Sequence, residues 1–137
     1  DVEKYESHQV VIRKPEALIY AILSDFKNFS PALEGKVEDW KVEGDSCSFK
    51  VKGMKVGLRI AERVENKHVK ITSGEGGIPV DFAFWVQLKE VAPNDTRVRM
   101  VLHAELNMMM KMLIGNKIQK GLDDAVTQLA TSLNQFR

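Results

Sequence analysis

The chain has 137 residues, of which 44% are hydrophobic and 28% charged, values ordinary for one globular domain with a single core. Twenty basic residues nearly balance nineteen acidic ones, so we expect no nucleic-acid partner, which would need a strong basic bias or a basic stripe. Cys47 is the only cysteine, which excludes an internal disulfide and a thiolate metal cluster.

No stretch approaches the roughly eighteen uninterrupted apolar residues of a transmembrane helix, and the first residues are polar. We therefore expect no stable membrane insertion. The single cysteine fits a reducing compartment, so we predict a cytoplasmic protein. The sequence has no internal repeat or low-complexity linker, which favours one domain spanning residues 1–137.

The first predicted strand runs from about Glu3 to Arg13. Pro15 followed by Glu16 is typical of the first turn of a helix. Apolar residues at helical spacing extend this helix to about Phe26: Ala17, Leu18, Ile19, Ile22, Leu23 and Phe26. After a break, the segment 31–34 predicts a second short helical turn.

Six short strands follow, each with alternating apolar and polar residues and each separated from the next by a turn. The alternation slips near Glu38 and Asp39, which predicts a bulge. The segment 73–77 predicts a flexible hairpin loop that could gate a cavity. Apolar residues on the best alternating strands are Cys47, Phe49, Val51, Met54, Val56, Leu58, Ile60, Val80, Phe82, Phe84, Val86, Leu88, Val98, Met100, Leu102, Ala104 and Leu106.

One long helix is predicted from about Leu106 to Phe136, and at 1.5 Å per residue it would be about 45 Å long. It must therefore lie along the sheet, whose apolar face it alone is large enough to cover. The predicted fold class is α+β: a curved antiparallel β-sheet of about seven strands wrapped around a long C-terminal α-helix, with one or two short helices after the first strand. The apolar stripe of this helix consists of Ile118, Leu122, Ala125, Val126, Leu129, Leu133 and Phe136.

The residues Val10–Ala17 leading into Ile19–Asp25 resemble the opening strand and first helix of the START-like, or SRPBCC, superfamily. In that family the helix often reads as a proline, an aliphatic–aromatic pair and Leu-x-Asp. The matching positions here are Pro15, Ile19, Tyr20, Leu23 and Asp25, followed by an aromatic-containing break at Phe26 and Phe29. The resemblance implies a helix-grip fold, shared with the major birch pollen allergen, polyketide cyclases and coenzyme-Q-binding proteins.

The apolar strand faces together with this resemblance predict binding of a hydrophobic small molecule, such as a lipid, polyketide or quinone, between sheet and helix. Gly115 lies on the core-facing stripe, where it could leave headroom for a ligand, and Lys111 could meet an acidic head group at the entrance. A bend at Gly115 and a lysine that reaches solvent are the simpler readings. The candidate lining is Trp40, Phe82, Phe84, Met100, Leu102, Met108, Met112 and Gly115.

Catalytic chemistry has little support in the sequence. No Asp, Glu, His or Arg occupies an inward position of the four best strands, although the first strand and the long helix could still supply one. His8, His68 and His103 are expected to be solvated or structural, and no pair has metal-ligand spacing. We therefore predict no catalytic residue, no metal and no cofactor.

Two further features of the sequence do not predict a binding site. Lys50, Lys52, Lys55 and Arg59 are expected to form a solvated surface. The segment 74–77 is not a phosphate loop, because it lacks the Gly-Lys-Ser/Thr sequence and precedes a strand.

Two alternatives to ligand binding remain open. A polyketide cyclase or aromatase would need polar groups in the cavity, for which His8, Tyr20 and Lys111 are the candidates. A protein-interaction module would have a filled core and an exposed apolar patch, around Phe26, Phe29 and the methionines. Self-association into a homo-oligomer is compatible with each reading.

Overall fold

The computed structural model describes residues 1–135 and has the predicted α+β fold. An antiparallel sheet of eight strands curves around a long C-terminal helix, and short helices follow the second strand. The elements in chain order are β1 (Val2–Glu6), β2 (Val10–Ile12), α1 (Glu16–Leu23), a 3₁₀ turn (Phe26–Phe29), α2 (Ser30–Leu33), β3 (Glu38–Glu43), β4 (Ser46–Val51), β5 (Met54–Val64), β6 (His68–Ser73), β7 (Phe82–Ala92), β8 (Asp95–Glu105) and α3 (Met108–Asn134).

The spatial order of the strands is β1-β8-β7-β6-β5-β4-β3, and β2 also pairs with β8. The six strands from β3 to β8 therefore form a continuous meander of hairpins, as their alternation predicts. β1 returns to the far edge of this meander, beside the last strand. Each pair is antiparallel, so the turns β4–β5 and β6–β7 and the start of α3 lie at the same end of the sheet.

The prediction of one opening strand from Glu3 to Arg13 was wrong, because the chain breaks at Ser7 into β1 and β2. The Ser7 N–H donates to the Met100 carbonyl over 2.8 Å, and the Met100 N–H donates to the Ser7 hydroxyl oxygen over 2.9 Å. A side-chain oxygen thus replaces a backbone acceptor of the ladder. The interruption divides the predicted first strand into two, so the sheet has eight strands and not the predicted seven.

The predicted irregularity near Glu38 and Asp39 is present in the structure. The pairing of β3 with β4 shifts register between Glu38 and Lys41, and Asp39 has a φ of +54°. A bulged residue in this left-handed conformation bends the strand. The bend carries Trp40 to the inner side of the sheet, where it packs against the core.

The long helix α3 begins after Asn107, whose side-chain oxygen accepts the Met110 N–H over 2.8 Å. Its 27 residues correspond to about 40 Å. Ala125 was placed in its apolar stripe but is exposed, and Ala130, four residues after Val126, is buried instead. Phe136, the last predicted member of the stripe, lies outside the described residues. The buried residues of the described part of α3 are Leu122, Val126, Ala130 and Leu133.

The core lies where the second half of α3 and one face of α1 meet the inner face of the sheet. Its fully buried aliphatic side chains each contribute about 1.5–3 kcal/mol relative to exposure. They are Ile12, Ile19, Val69, Val98 and Val126. Among the described residues, no helix is both long and apolar enough to cross a membrane.

Candidate functional site

An apolar cavity of about 190 Å³ lies between the inner face of the sheet, the segment from α1 to α2, and the second half of α3. Every described side chain that lines it is hydrophobic or a thiol. The lining residues are Leu23, Phe26, Phe29, Leu33, Trp40, Cys47, Phe49, Leu58, Val69, Ile71, Phe84, Val86, Met100 and Leu129. The cavity can therefore hold an apolar molecule and has no side chain that would orient a polar one.

The sheet wall of the cavity follows from strand register. Cys47 lies opposite Leu58, Ile71 opposite Phe84, and Val86 opposite Met100. Along each strand these apolar residues alternate with more polar ones. The side chains of all three pairs therefore point to the same face of the sheet. These clean alternations are what allows the sequence to place this wall.

The segment from α1 to α2 folds over the cavity like a lid. Asp25 ends the first helix and accepts the Lys27 N–H over 2.9 Å, which begins the 3₁₀ turn. That turn directs Phe26 inward, with 6% of its surface exposed, while Phe29 remains half-buried. Leu33 completes the apolar side of this segment.

Hydrogen bonds tie this lid to the sheet at two places. At its start, Arg63 Nη2 on β5 donates to the Ser24 carbonyl oxygen over 2.7 Å. The Trp40 indole N–H donates to the Ser30 hydroxyl oxygen over 2.7 Å. The Trp40 ring also packs against Phe49, with ring centroids 5.9 Å apart. Trp40 thus satisfies its only polar group at the lid while its ring remains part of the cavity wall.

Cys47 is a neutral part of the wall. Its residue is 5% exposed, and burial raises the pKa of its thiol to about 11. The thiolate is the reactive form of cysteine, so at neutral pH this side chain behaves as a small apolar group.

The structure places three of the eight predicted lining residues, Trp40, Phe84 and Met100, in the cavity wall. Phe82 and Leu102 have the same inward parity, since Phe84 pairs with Leu102 and Phe82 with Ala104. They lie beyond the residues that line the cavity, towards the end of the sheet where α3 begins. The inward face thus extends further than the cavity does.

The other three predicted lining residues lie on the first turns of α3, away from the cavity. Met108 is 79% exposed and Met112 is 81% exposed, although both lie on the core-facing side by helical spacing. At Gly115, an added Cβ would lie 3.4 Å from the Tyr5 hydroxyl oxygen. The helix passes over β1 at this point, so the glycine stands against a tyrosine and not above the cavity.

A polar cluster lies where β1 meets the first turns of α3. The sequence analysis had named these two elements as those that could still supply a catalytic side chain. Lys111 Nζ lies 2.6 Å from Glu3 Oε1, and this hydrogen bond raises the pKa of Lys111. The Tyr5 hydroxyl is buried and has no hydrogen-bond partner among residues 1–135. None of these three side chains lines the apolar cavity.

The residues suggested for catalysis do not converge on the cavity. His8 lies on the surface, where Nδ1 is 3.1 Å from Asp123 Oδ1 and Nε2 is 2.9 Å from Thr127 Oγ1. Tyr20 packs against the core but is not part of the cavity wall. With Lys111 paired to Glu3, the cavity wall described here offers no acid or base other than a protonated thiol.

Sequence reasoning missed the lid as a source of lining residues. Phe26 and Phe29 were seen as aromatic residues in a helix break and assigned to an exposed patch in the interaction alternative. Phe26 is buried and both side chains line the cavity, which contradicts that assignment. Two phenylalanines three residues apart in a short break were the available signal, because they need an apolar surface to cover.

The sequence matches no protein-family model and no curated protein. Among solved structures, norcoclaurine synthase from Thalictrum flavum, in complex with dopamine and hydroxybenzaldehyde, is similar in fold. Its TM-score is 0.77 at 14% identity, over 98% of this chain and 86% of that one.

Two bacterial structures cover almost the full length of both chains. Aha1 from Colwellia psychrerythraea, solved as a dimer, has a TM-score of 0.65 at 19% identity, over 96% of each chain. A Deinococcus radiodurans protein has a TM-score of 0.62 at 15% identity, over 97% of this chain and 98% of that one. This is the helix-grip fold. The fold expected from the START-like resemblance is therefore confirmed.

Proposed function

We propose that this helix-grip protein binds a small apolar molecule, about the size of a single substituted ring, in the cavity between sheet, lid and α3. The observation that carries the proposal is the cavity itself, about 190 Å³ in volume with a wholly apolar or thiol lining. Close-packed interiors rarely leave such a space, because each void forfeits packing energy.

The volume limits the ligand. Drug-sized molecules occupy pockets of about 300–1,000 Å³. An engineered apolar cavity of about 150 Å³ binds benzene. A cavity of about 190 Å³ therefore fits one ring with a short substituent. A sterol or a long acyl chain would require the lid to move outward.

The comparison with norcoclaurine synthase supports the size class. That enzyme was solved with dopamine and hydroxybenzaldehyde, both of which are built on one ring. The described cavity wall is apolar apart from one thiol, so we propose a ligand less polar than either. Phe82 and Leu102 continue the inward face and would line an enlarged site.

The affinity should be modest. A ligand of about seven heavy atoms, each contributing about 0.8 kcal/mol, binds with about 5.5 kcal/mol, which is a Kd on the order of 100 µM. The absence of an oriented acid, base or nucleophile in the described wall favours binding over chemistry.

A panel of apolar ligands graded by size tests this proposal. Toluene, indole, a naphthoquinone, a sterol and a long fatty acid would each be added at a fixed concentration, and the melting temperature measured. We expect toluene, the single-ring member, to raise it and the effect to fall as size increases. If no member raises it, the cavity is not a ligand site; if only the fatty acid or sterol does, the size assignment is wrong.

A further inference from the structure

A second concavity lies over β3, β4 and β5 and is lined mainly by polar side chains. It encloses about 750 Å³. Strand register explains this lining: Lys41 lies opposite Ser48, and Ser46 lies opposite Arg59. The residue between the two serines, Cys47, points to the core instead, so this groove occupies the outer face of the sheet. Cys47 and Leu58 border both this groove and the apolar cavity, which lie on opposite faces of the sheet, and binding in the groove does not require the function proposed for the cavity.

The wall of the groove is the glycine-rich segment 74–77, which packs on β5 through backbone atoms. The Gly74 N–H donates to the Gly57 carbonyl over 2.8 Å. A Cβ at Gly57 would lie 2.7 Å from the Glu75 carbonyl oxygen, and one at Gly77 would lie 2.6 Å from the Gly57 nitrogen. Both distances are too short for any residue but glycine. The segment predicted to be a flexible loop is therefore docked, and it places Glu75 on the rim.

Three cations line the groove without a carboxylate partner. In the described part of the chain, Lys41, Lys55 and Arg59 have no carboxylate oxygen within the 4.0 Å of an ion pair. Lys50 on the same strands is different, since its Nζ lies 3.6 Å from Asp39 Oδ2. Three cations against two carboxylates leave a net positive charge in the groove, and charge gathered in a groove attracts an anion more strongly than the same charge spread over a surface.

Hydroxyl groups lie between these cations. Ser46 and Ser48 line the groove from the strand between Lys41 and Arg59, and across residues 1–135 their hydroxyls make no hydrogen bond. Thr72, opposite Arg59, has an enclosed hydroxyl that is also without a partner. Hydroxyl, ammonium and guanidinium donors together are the set that proteins use to bind phosphate oxygens.

We propose that this groove binds the phosphate group of a small hydroxylated molecule, such as a sugar phosphate. The cations and serines offer more donors than the two oxygens of a carboxylate can accept, whereas a phosphate has three. Glu43 and Glu75 also line the groove. Their carboxylates can accept hydrogen bonds from sugar hydroxyls, and they disfavour a second phosphate, which argues against a nucleic acid.

Amide NMR on the intact, isotope-labelled protein at constant ionic strength tests the site. The probes are ribose 5-phosphate, ribose and inorganic phosphate. We expect saturable shifts at Ser46, Ser48 and Gly74 with ribose 5-phosphate, weaker binding of inorganic phosphate, and no shift with ribose. Equal affinities for the two phosphates would overturn the sugar assignment. No saturable shift with either phosphate at millimolar concentration would overturn the site.

Two charge-neutralising variants distinguish binding in this groove from general electrostatic attraction of the phosphate to the protein. Loss of one charge-assisted hydrogen bond in Arg59→Gln should weaken ribose 5-phosphate binding about tenfold. Lys67→Gln, in the turn between β5 and β6, removes the same charge outside the groove and should change affinity less than about twofold. Equal losses in both variants would contradict the proposal.

A third variant tests the wall. Gly57→Ala must displace the segment 74–77, because its Cβ would lie 2.7 Å from the Glu75 carbonyl oxygen. We expect weaker ribose 5-phosphate binding with an unchanged circular dichroism spectrum. A folded Gly57→Ala protein with wild-type affinity would show that this wall has no part in the site.

Discussion

Ile71 is the single residue through which the cavity can be closed most simply. It is half-buried, lines the cavity and pairs with Phe84, so a larger side chain would grow into the empty volume. In Ile71→Phe we expect binding of single-ring ligands to be lost, with a stability change of no more than about 1–3 kcal/mol. Ile78→Phe makes the same change at a side chain that is 37% exposed and outside the cavity, and should leave binding intact. Thermal shifts with toluene measure both, and retained binding in Ile71→Phe would contradict the site assignment.

Replacement of Gly115 by alanine is expected to stabilise the protein. An added Cβ would meet the Tyr5 hydroxyl oxygen at 3.4 Å, an ordinary contact, in the interior of α3. Gly115→Ala should therefore raise the free energy of unfolding by about 0.5–1 kcal/mol through helix propensity. Urea denaturation measures this, with Gly121→Ala, where open space surrounds the Cβ, as the matched control. Destabilisation at Gly115 alone would show that the glycine is needed against Tyr5.

At the level of single residues, the sequence indicates which side chains face inward only where a strand has a strict period. Phe84 and Met100 could be placed in the wall because alternation fixes which side chains face inward. Met108 and Met112 could not be placed, because helical spacing gives a direction but not whether the sheet extends far enough to cover it. Their exposure depends on where the sheet ends, which is a property of the whole fold.

At the scale of elements, the lid from α1 to α2 covers one side of the cavity. The hydrogen bond from Trp40 to Ser30, 2.7 Å long, ties the lid to β3, and a second one from Arg63 to the Ser24 carbonyl ties it to β5. Ser30→Ala should cost about 0.5–1.5 kcal/mol of stability and speed dissociation of a bound ligand. Stopped-flow measurement of ligand release checks this. Ser132→Ala, on the exposed side of α3, is the control and should change neither quantity. Unchanged release in Ser30→Ala would mean that this bond does not hold the lid.

Element order was predictable from sequence, and the break in the first strand was not. The six hairpin strands and the long helix each carry a period that survives in the structure. Ser7 interrupts the opening strand through its own side chain, and a serine in an alternating stretch gives no sign of this. The lid was similarly hidden, since four-residue helices have too few residues to show a period.

At the scale of the whole molecule, three aspartates predict a loss of stability in acid. The pKa of Asp45 is lowered by a hydrogen bond from Arg63 and that of Asp95 by one from Arg97. The pKa of Asp123, on α3, is lowered chiefly by the backbone N–H of His8, which joins the β1–β2 break to this helix.

The sign of the effect follows from linkage. A depressed folded-state pKa contributes stability that is present above the unfolded-state value, about 3.9, and is lost as pH falls through the folded-state value. Denaturation midpoints should therefore decline below about pH 4, and less steeply in Asp123→Asn. The gap between Asp123→Asn and wild type should narrow as pH falls. A gap that stays constant with pH would show that the Asp123 charge contributes nothing.

The central claim is that the helix-grip cavity binds a compact apolar ligand. Calorimetric titration of the wild-type protein with toluene tests it most directly, because an apolar cavity of this size can bind a single ring without polar contacts. The account predicts saturable one-to-one binding with a Kd on the order of 100 µM and a negative heat-capacity change from buried apolar surface. Heats indistinguishable from dilution, across temperatures that would reveal a heat-capacity change, would contradict it.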